Sequence, residues 1–321
     1  MEFVHLLMKM VSAPLALIIL LVALPFLSIV RFIHSFIIRT LYCEKMAGKV
    51  VLITGASSGI GEHLAYEYAK KGAFLVLVAR REEMLEQVAK KAGQLGSPDV
   101  LEIRADVSQV DECKRFVQET VRRFGRLDHL VCNAGIASYC KFEDGLIGFS
   151  NFRIAMDTNF WGYVYPTYFA IPHLKKSKGK IIVNASVASW FITPYASSYG
   201  ASKAALVNFF DTLRVELAPE IKITIAAPGF TESEMINNGK NLTKEGVVED
   251  NPEMIEVLVG KFPIRRVGVC AEAIVNGACC GERYVIEPSW YKMFINFQFF
   301  CPEIVEWFIV LWFYITKSDT S

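Results

Sequence analysis

Cysteine pairs at metal-ligand spacing are missing from this chain. Its eight cysteines lie at 43, 113, 132, 140, 270, 279, 280 and 301, two of them adjacent, and no CxxC occurs. A chain of 321 residues also buries enough apolar surface to need no disulfide framework, so most of these cysteines are expected to be reduced core residues. No charge of one sign dominates. Thirty-four Lys and Arg meet 33 Asp and Glu, and no basic block or aromatic-basic stripe occurs, so no nucleic-acid partner is expected. Internal repeats and low-complexity linkers are absent as well, and the roughly 275 residues beyond the N-terminal apolar segment suit one large α/β domain better than two.

Apolar residues are abundant: 53% of the chain is hydrophobic and the mean hydropathy is +0.32. Val11 to Val30 is a run of twenty residues without charge, long enough to cross a hydrocarbon layer ~30 Å thick. It reads as a retained anchor rather than a signal peptide, because no small-residue cleavage site follows and Arg31, Phe32, Ile33 and His34 flank it. Pro14 and Pro25 kink a plain spanning helix, which leaves a spanning helix and a monotopic hairpin both open. Basic residues gather after the run (Arg31, Arg39, Lys45, Lys49) against Lys9 before it, which predicts a cytosolic catalytic domain. At the other end, Tyr284 to Tyr314 carries aromatics from Trp290 to Phe313. They read either as helices packed on the core or as a surface at the boundary between lipid and water. The expected organisation is an anchor over 1–45, a catalytic domain over 46–285 and an aromatic extension over 286–321.

From Gly48 on, strand and helix patterns alternate, which predicts a Rossmann-like, doubly wound parallel sheet with helices on both faces. The expected strands are Val50 to Ile53, Phe74 to Ala79, Val100 to Ala105, Leu127 to Cys132, Ile181 to Val183 and Ile221 to Ala226. The helices between them include Glu82 to Leu95, Val110 to Phe124 and Phe152 to Leu174. Phe230 to Gly260 is polar and irregular.

The chemistry concentrates in KIIVNASVASWFITPYASSYGASK, Lys180 to Lys203. Tyr199 and Lys203 stand one turn apart on a helix face. An ammonium group near a phenol favours the phenolate, so Tyr199 is expected to act as acid or base near neutrality. Ser186, at a strand end, is placed to hydrogen-bond the reacting oxygen. Thr54 to Gly61 reads TGASSGIG directly after the first strand. There Gly55, Ser57, Ser58, Gly59, Ile60 and Gly61 let backbone approach a pyrophosphate at a helix N-terminus. After the second strand stand Arg80 and Arg81, with no acidic residue before Glu82. An acidic side chain there would hold the ribose of NAD, whereas guanidinium groups suit the phosphate of NADP(H), with Arg80 as principal contact and Ser57 assisting.

The stretch from about Gly48 to Tyr284 resembles the short-chain dehydrogenase/reductase family through TGASSGIG, Asn133-Ala134-Gly135 and the Ser186, Tyr199, Lys203 set. The resemblance implies that Asp106 contacts adenine and that Asn159, in DTNFWG, helps to hold a proton-relay water near Lys203. It also implies that Pro228, Gly229 and Thr231 lie beside the nicotinamide, and that Phe230 to Gly260 is a mobile substrate loop. The family's first motif asparagine is Cys132 here, at a position expected to point into the sheet edge. Val187, Trp190, Tyr195 and Phe230 are expected to line the substrate site. Their apolar character, with the anchor, implies a hydrophobic substrate. Asn241-Leu-Thr243 is a glycosylation sequon, used only on a lumenal domain.

The anchored N-terminus, Ala79-Arg80-Arg81, HLVCNAG, DTNFWG and RYVIEPSWYK together resemble the plant steroleosin, or 11β-hydroxysteroid-dehydrogenase-like, group. That implies an NADP(H)-dependent enzyme interconverting a hydroxyl and a ketone on a sterol-like ring. It is expected as a homodimer, on endoplasmic reticulum or oil bodies. The alternatives are a reductase of another long-chain lipid, such as a retinoid or 3-ketosphinganine, and a non-catalytic droplet coat that binds sterol.

Overall fold

Runs of β-branched and aliphatic residues four to six long form strands buried on both faces, as a parallel sheet covered by helices requires. In the computed structural model, which describes residues 1–23, 26–27, 29–30, 43–140, 142, 150–242, 247–251, 258–260 and 262–318, seven strands make one parallel sheet. They are β1 Val50–Thr54, β2 Phe74–Ala79, β3 Val100–Arg104, β4 His129–Cys132, β5 Lys180–Asn184, β6 Lys222–Pro228 and β9 Tyr284–Glu287, in the order β3-β2-β1-β4-β5-β6-β9. A two-stranded antiparallel pair, β7 Lys240–Leu242 and β8 Val248–Asp250, stands apart. Successive residues of β1 face opposite clusters: Val51 and Ile53 pack on one side, Val50 and Leu52 on the other.

The chain divides into two compact units, Met1–Glu44 and Lys45–Ser321. The first holds α1, Glu2–Ile18, with Pro14 inside it and a π-turn Ile19–Ala23 after it. No described helix is long and apolar enough to cross a membrane. Pro25, Arg31 and Arg39, on which the anchor and orientation expectations lean, lie outside the described residues.

In the second unit, α2 Gly59–Lys70, α3 Glu82–Gln94 and α9 Val267–Cys279 cover one face of the sheet through Leu64, Leu85 and Ile274. The helices α4 Val110–Phe124, α6 Gly162–Ser177 and α7 Ser197–Glu216 cover the other through Phe116, Leu174 and Phe210. A short α5, Ser150–Met156, leads into α6 through a π-turn, Asp157–Trp161. Strands lead outward from β1 in one direction and from β4 in the other, so the chain parts at the carboxyl ends of these two neighbours and opens a crevice there.

Two sequence expectations need correction. Cys132 does not sit at a sheet edge: β4 is the central strand, and the thiol is fully buried against Tyr163 and Thr167 of α6. The segment after β6 is not wholly irregular, since it forms α8, Glu234–Asn237, and the β7/β8 pair. Most of the cysteines carry no disulfide, as expected, with Cys113, Cys132 and Cys270 buried, whereas Cys43 and Cys280 are each disulfide-bonded.

Candidate active site

Hydrogen bonds at the ends of β1 and β4 shape the crevice floor. Thr54 Oγ1 accepts from the Asn133 and Ala134 amides at 3.0 and 3.3 Å, and Asn133 Nδ2 donates to the Thr54 and Gly55 carbonyls at 3.1 Å each. Asn184 Nδ2 then donates to Asn133 Oδ1 at 2.7 Å, so three neighbouring strand ends are tied together. Only glycine fits in this turn. A Cβ on Gly55, whose φ is +66°, would lie 2.6 Å from Ala134 Cα, and one on Gly61 would lie 2.1 Å from the Gly55 carbonyl oxygen. Gly61 therefore seats α2 against the turn and does not itself line the crevice, a correction to its expected contact role.

A single cleft of about 770 Å³ runs from this turn past Ser186, Tyr199 and Lys203 to the C-terminal helices. Ser57, Ser58, Gly59, Ile60, Arg80, Arg81, Asp106, Asn133, Ala134 and Gly135 line its first part, and Pro228, Gly229, Phe230 and Thr231 its middle. Thr231 Oγ1 donates to the Gly229 carbonyl at 3.1 Å. Asp106 Oδ1 is held by the Ser108 amide and hydroxyl at 2.9 and 2.8 Å. The two arginines differ from expectation. Arg81 Nη2 reaches Ser58 Oγ at 2.5 Å and Ser57 Oγ at 3.3 Å, while Arg80 is 63% exposed and stands 4.0 Å from Asp106.

Ser186 caps a short 3-10 turn, Val187–Ser189, by accepting from the Ala188 amide at 3.2 Å. It also hydrogen-bonds the Tyr199 side chain, which lowers the phenol's pKa, but burial outweighs this and the net shift is upward. Burial thus works against the phenolate that a nearby ammonium was expected to favour. The Lys203 ammonium lies 5.9 Å from the Tyr199 ring centroid. It donates instead to the Asn184 carbonyl at 3.0 Å and to Tyr163 Oη at 3.2 Å, and burial pushes its pKa down to about 7. Tyr163 Oη in turn donates to the Asn184 carbonyl at 2.9 Å.

Asn159 sits in the π-turn and is fully buried. Its Oδ1 accepts from the Ile136 amide at 2.9 Å, and its Nδ2 donates to the Ile136 carbonyl at 3.0 Å and Ser202 Oγ at 3.1 Å. The amide side chain is thus occupied in fixing the strand-end loop. A Cβ built on Gly135 would meet Asn159 Oδ1 at 3.3 Å and Lys203 Nζ at 3.5 Å, which places both groups at one spot behind the loop.

Of the expected substrate residues, Val187 and Phe230 line the cleft and Trp190 and Tyr195 do not. Trp190 packs edge-on to Tyr284, 5.9 Å away. Tyr195 takes a left-handed φ of 63° and its carbonyl accepts from the Cys140 amide at 2.9 Å. Residues next to them in sequence, Phe191 and Pro194, line the cleft in their place. Sequence reasoning also missed Tyr139, whose ring centroid is 5.6 Å from that of Tyr199, and the clamp formed by Tyr163 and Asn184. It did not foresee that the far end of the cleft is closed by α10, Tyr291–Phe300, and α11, Pro302–Ser318. Phe294, Phe297, Phe308 and Trp312 line the cleft there, with Phe262. The dense aromatics of this tail were the available signal.

The family model for short chain dehydrogenases matches residues 49–243. A protein of Sesamum indicum described as 11-beta-hydroxysteroid dehydrogenase A is 49% identical over 319 residues, which is 99% of this chain and 90% of that protein. The Arabidopsis thaliana protein described as 11-beta-hydroxysteroid dehydrogenase-like 4A is 51% identical over 286 residues, 89% of this chain and 91% of its own length. Among solved structures, a short chain dehydrogenase/reductase from Burkholderia phymatum in complex with NAD matches with a TM-score of 0.71 at 21% identity, over 81% of this chain and 96% of that one. The crossover sheet, the glycine turn and the Ser186, Tyr199, Lys203 cluster thus occur in a chain that belongs to the short-chain dehydrogenase/reductase family.

Proposed function

We propose that this protein is an NADP(H)-dependent oxidoreductase that interconverts a hydroxyl and a ketone on a sterol-like substrate at a membrane or oil-body surface. The continuity of the cleft carries the reading: cations and serines at one end, an acid-base cluster in the middle, and an aromatic chamber at the other. The donor set fits a dinucleotide, because Arg80, Arg81, Ser57 and Ser58 line one end of the cleft beside the glycine turn. A bound nicotinamide would supply or accept the hydride. In the reducing direction, Tyr199 Oη donates its proton to the carbonyl oxygen as that oxygen gains charge, and Ser186 Oγ hydrogen-bonds the same oxygen. A phenol is protonated at neutral pH, the state the reducing direction needs, whereas oxidation needs the phenolate and gains as pH rises. Lys203, clamped by Asn184 and Tyr163, supplies positive charge behind the site.

The names of the relatives, hydroxysteroid dehydrogenases, agree with a rigid multi-ring substrate in the aromatic chamber. Surface location is supported by the outer side of the tail helices, where Trp307 is 66%, Phe299 68% and Phe300 61% exposed. The test is a sterol panel incubated with purified protein and NADPH or NADH. Turnover with NADPH that falls by roughly 10²-fold or more in Tyr199→Phe is expected. Retention of more than about a tenth of kcat in that variant, or a preference for NADH, would refute the reading.

A further inference from the structure

One ion pair links the adenosine end of the cleft to the loop after β6. The Glu234 carboxylate lies 2.9 Å from Arg81 Nη1, while Nη2 of the same guanidinium holds Ser58 and Ser57 at 2.5 and 3.3 Å. Glu234 opens α8, and it lines the cleft together with Ser233 and Met235. This loop rests on the glycine turn: a Cβ on Gly59 would come within 3.3 Å of Ser233 Cβ. A guanidinium presents a planar fork of donors that matches either a carboxylate or a phosphate. Here a carboxylate fills part of that fork.

We propose that Glu234 is a cofactor-discriminating residue, which occupies Arg81 as an internal stand-in for the 2′-phosphate and is displaced when a phosphorylated dinucleotide binds. The inference rests on the NADP(H) reading above. Arg81 and Glu234 are 42% and 32% exposed, and a half-exposed pair of this kind is weak enough for a dianionic phosphate to displace. While in place, the carboxylate repels the incoming phosphate and competes for Nη1, but it has no such quarrel with an unphosphorylated ribose.

Isothermal titration of the full chain in detergent with 2′,5′-ADP and with 5′-AMP tests this without turnover. Glu234→Gln should tighten 2′,5′-ADP by about threefold to tenfold and leave 5′-AMP within about twofold, the range expected for one partly exposed charge pair. The gain should vanish when Arg81→Ala is present, because the carboxylate acts through that guanidinium. Unchanged or weaker 2′,5′-ADP binding in Glu234→Gln, or an equal gain for 5′-AMP, overturns the inference and leaves the cofactor reading standing. A wild-type protein that binds the two probes equally overturns both.

Discussion

Lys203→Met is expected to stabilise the protein at neutral pH while removing its activity. In the wild type, Lys203 is 4% exposed, and burial alone carries its pKa from the ordinary 10.5 to about 7. Between these values the unfolded chain holds a proton that the native protein holds only in part, so native stability rises with pH across that window and is reduced below it. At 1.36 kcal/mol per unit, this deficit is on the order of 4 kcal/mol at pH 7. Methionine keeps an unbranched stem and carries no charge. It forfeits the bonds to Tyr163 Oη and the Asn184 carbonyl, at about 1 kcal/mol each. The Asn184 carbonyl still accepts from Tyr163, so no acceptor is orphaned. The balance favours Lys203→Met by roughly 1–3 kcal/mol at pH 7, or several degrees in Tm for a domain of this size. Thermal melts at pH 7, 8.5 and 10 should show that advantage shrinking, because neutralising the lysine for burial costs less as pH approaches its unfolded pKa of 10.5. A variant less stable than wild type at pH 7, or a gap that does not narrow by pH 10, would show that Lys203 carries no buried-charge cost.

Arg81→Ala should raise the KM for NADPH about tenfold or more with little effect on NADH, and Arg80→Ala should do so less, because Arg81 rather than Arg80 lies on Ser57 and Ser58; equal effects would show that the resting geometry does not predict the contact. Residues 1 to 40 should carry a soluble reporter to membranes or droplets, and protease added to intact microsomes should digest the catalytic domain; protection of that domain would reverse the orientation. Glycosylation is a poor substitute for that assay, since Asn241 is buried and its amide exchanges bonds of 2.7 Å in both directions with the Tyr139 backbone.

The sheet was legible because parallel strands buried on both faces need unbroken apolar runs, as in Phe74–Ala79, and because the breaks between them are polar and periodic. Ser186, Tyr199 and Lys203 were legible for a similar reason: one strand end and one helix turn fix their spacing locally. Which side chain of a neighbouring pair faces the cleft was not. Trp190 and Phe191 differ by one position, and only Phe191 lines the cleft; the direction each takes is set by the turn after the strand rather than by residue type. Contacts between distant segments were beyond reach for another reason. Trp312 joins the cleft only because the tail folds back beside Phe262, and its ring centroid lies 5.7 Å from that partner.

The same distinction explains where the molecule departs from ordinary packing rules. Lys203, Tyr199, Asn159 and Tyr163 are each at least nine-tenths buried, among residues that elsewhere form two continuous apolar clusters. Every one of them costs the fold desolvation energy, which raises the two phenols and lowers the ammonium. Hydrogen bonds to backbone at Ile136 and Asn184 offset part of that cost. They also hold the groups in one arrangement, so little reorganisation is left for the moment of proton transfer. A site built for stability alone would place aliphatic residues here; a neutral phenol near a buried amine is the arrangement that the proposed reduction of a ketone requires.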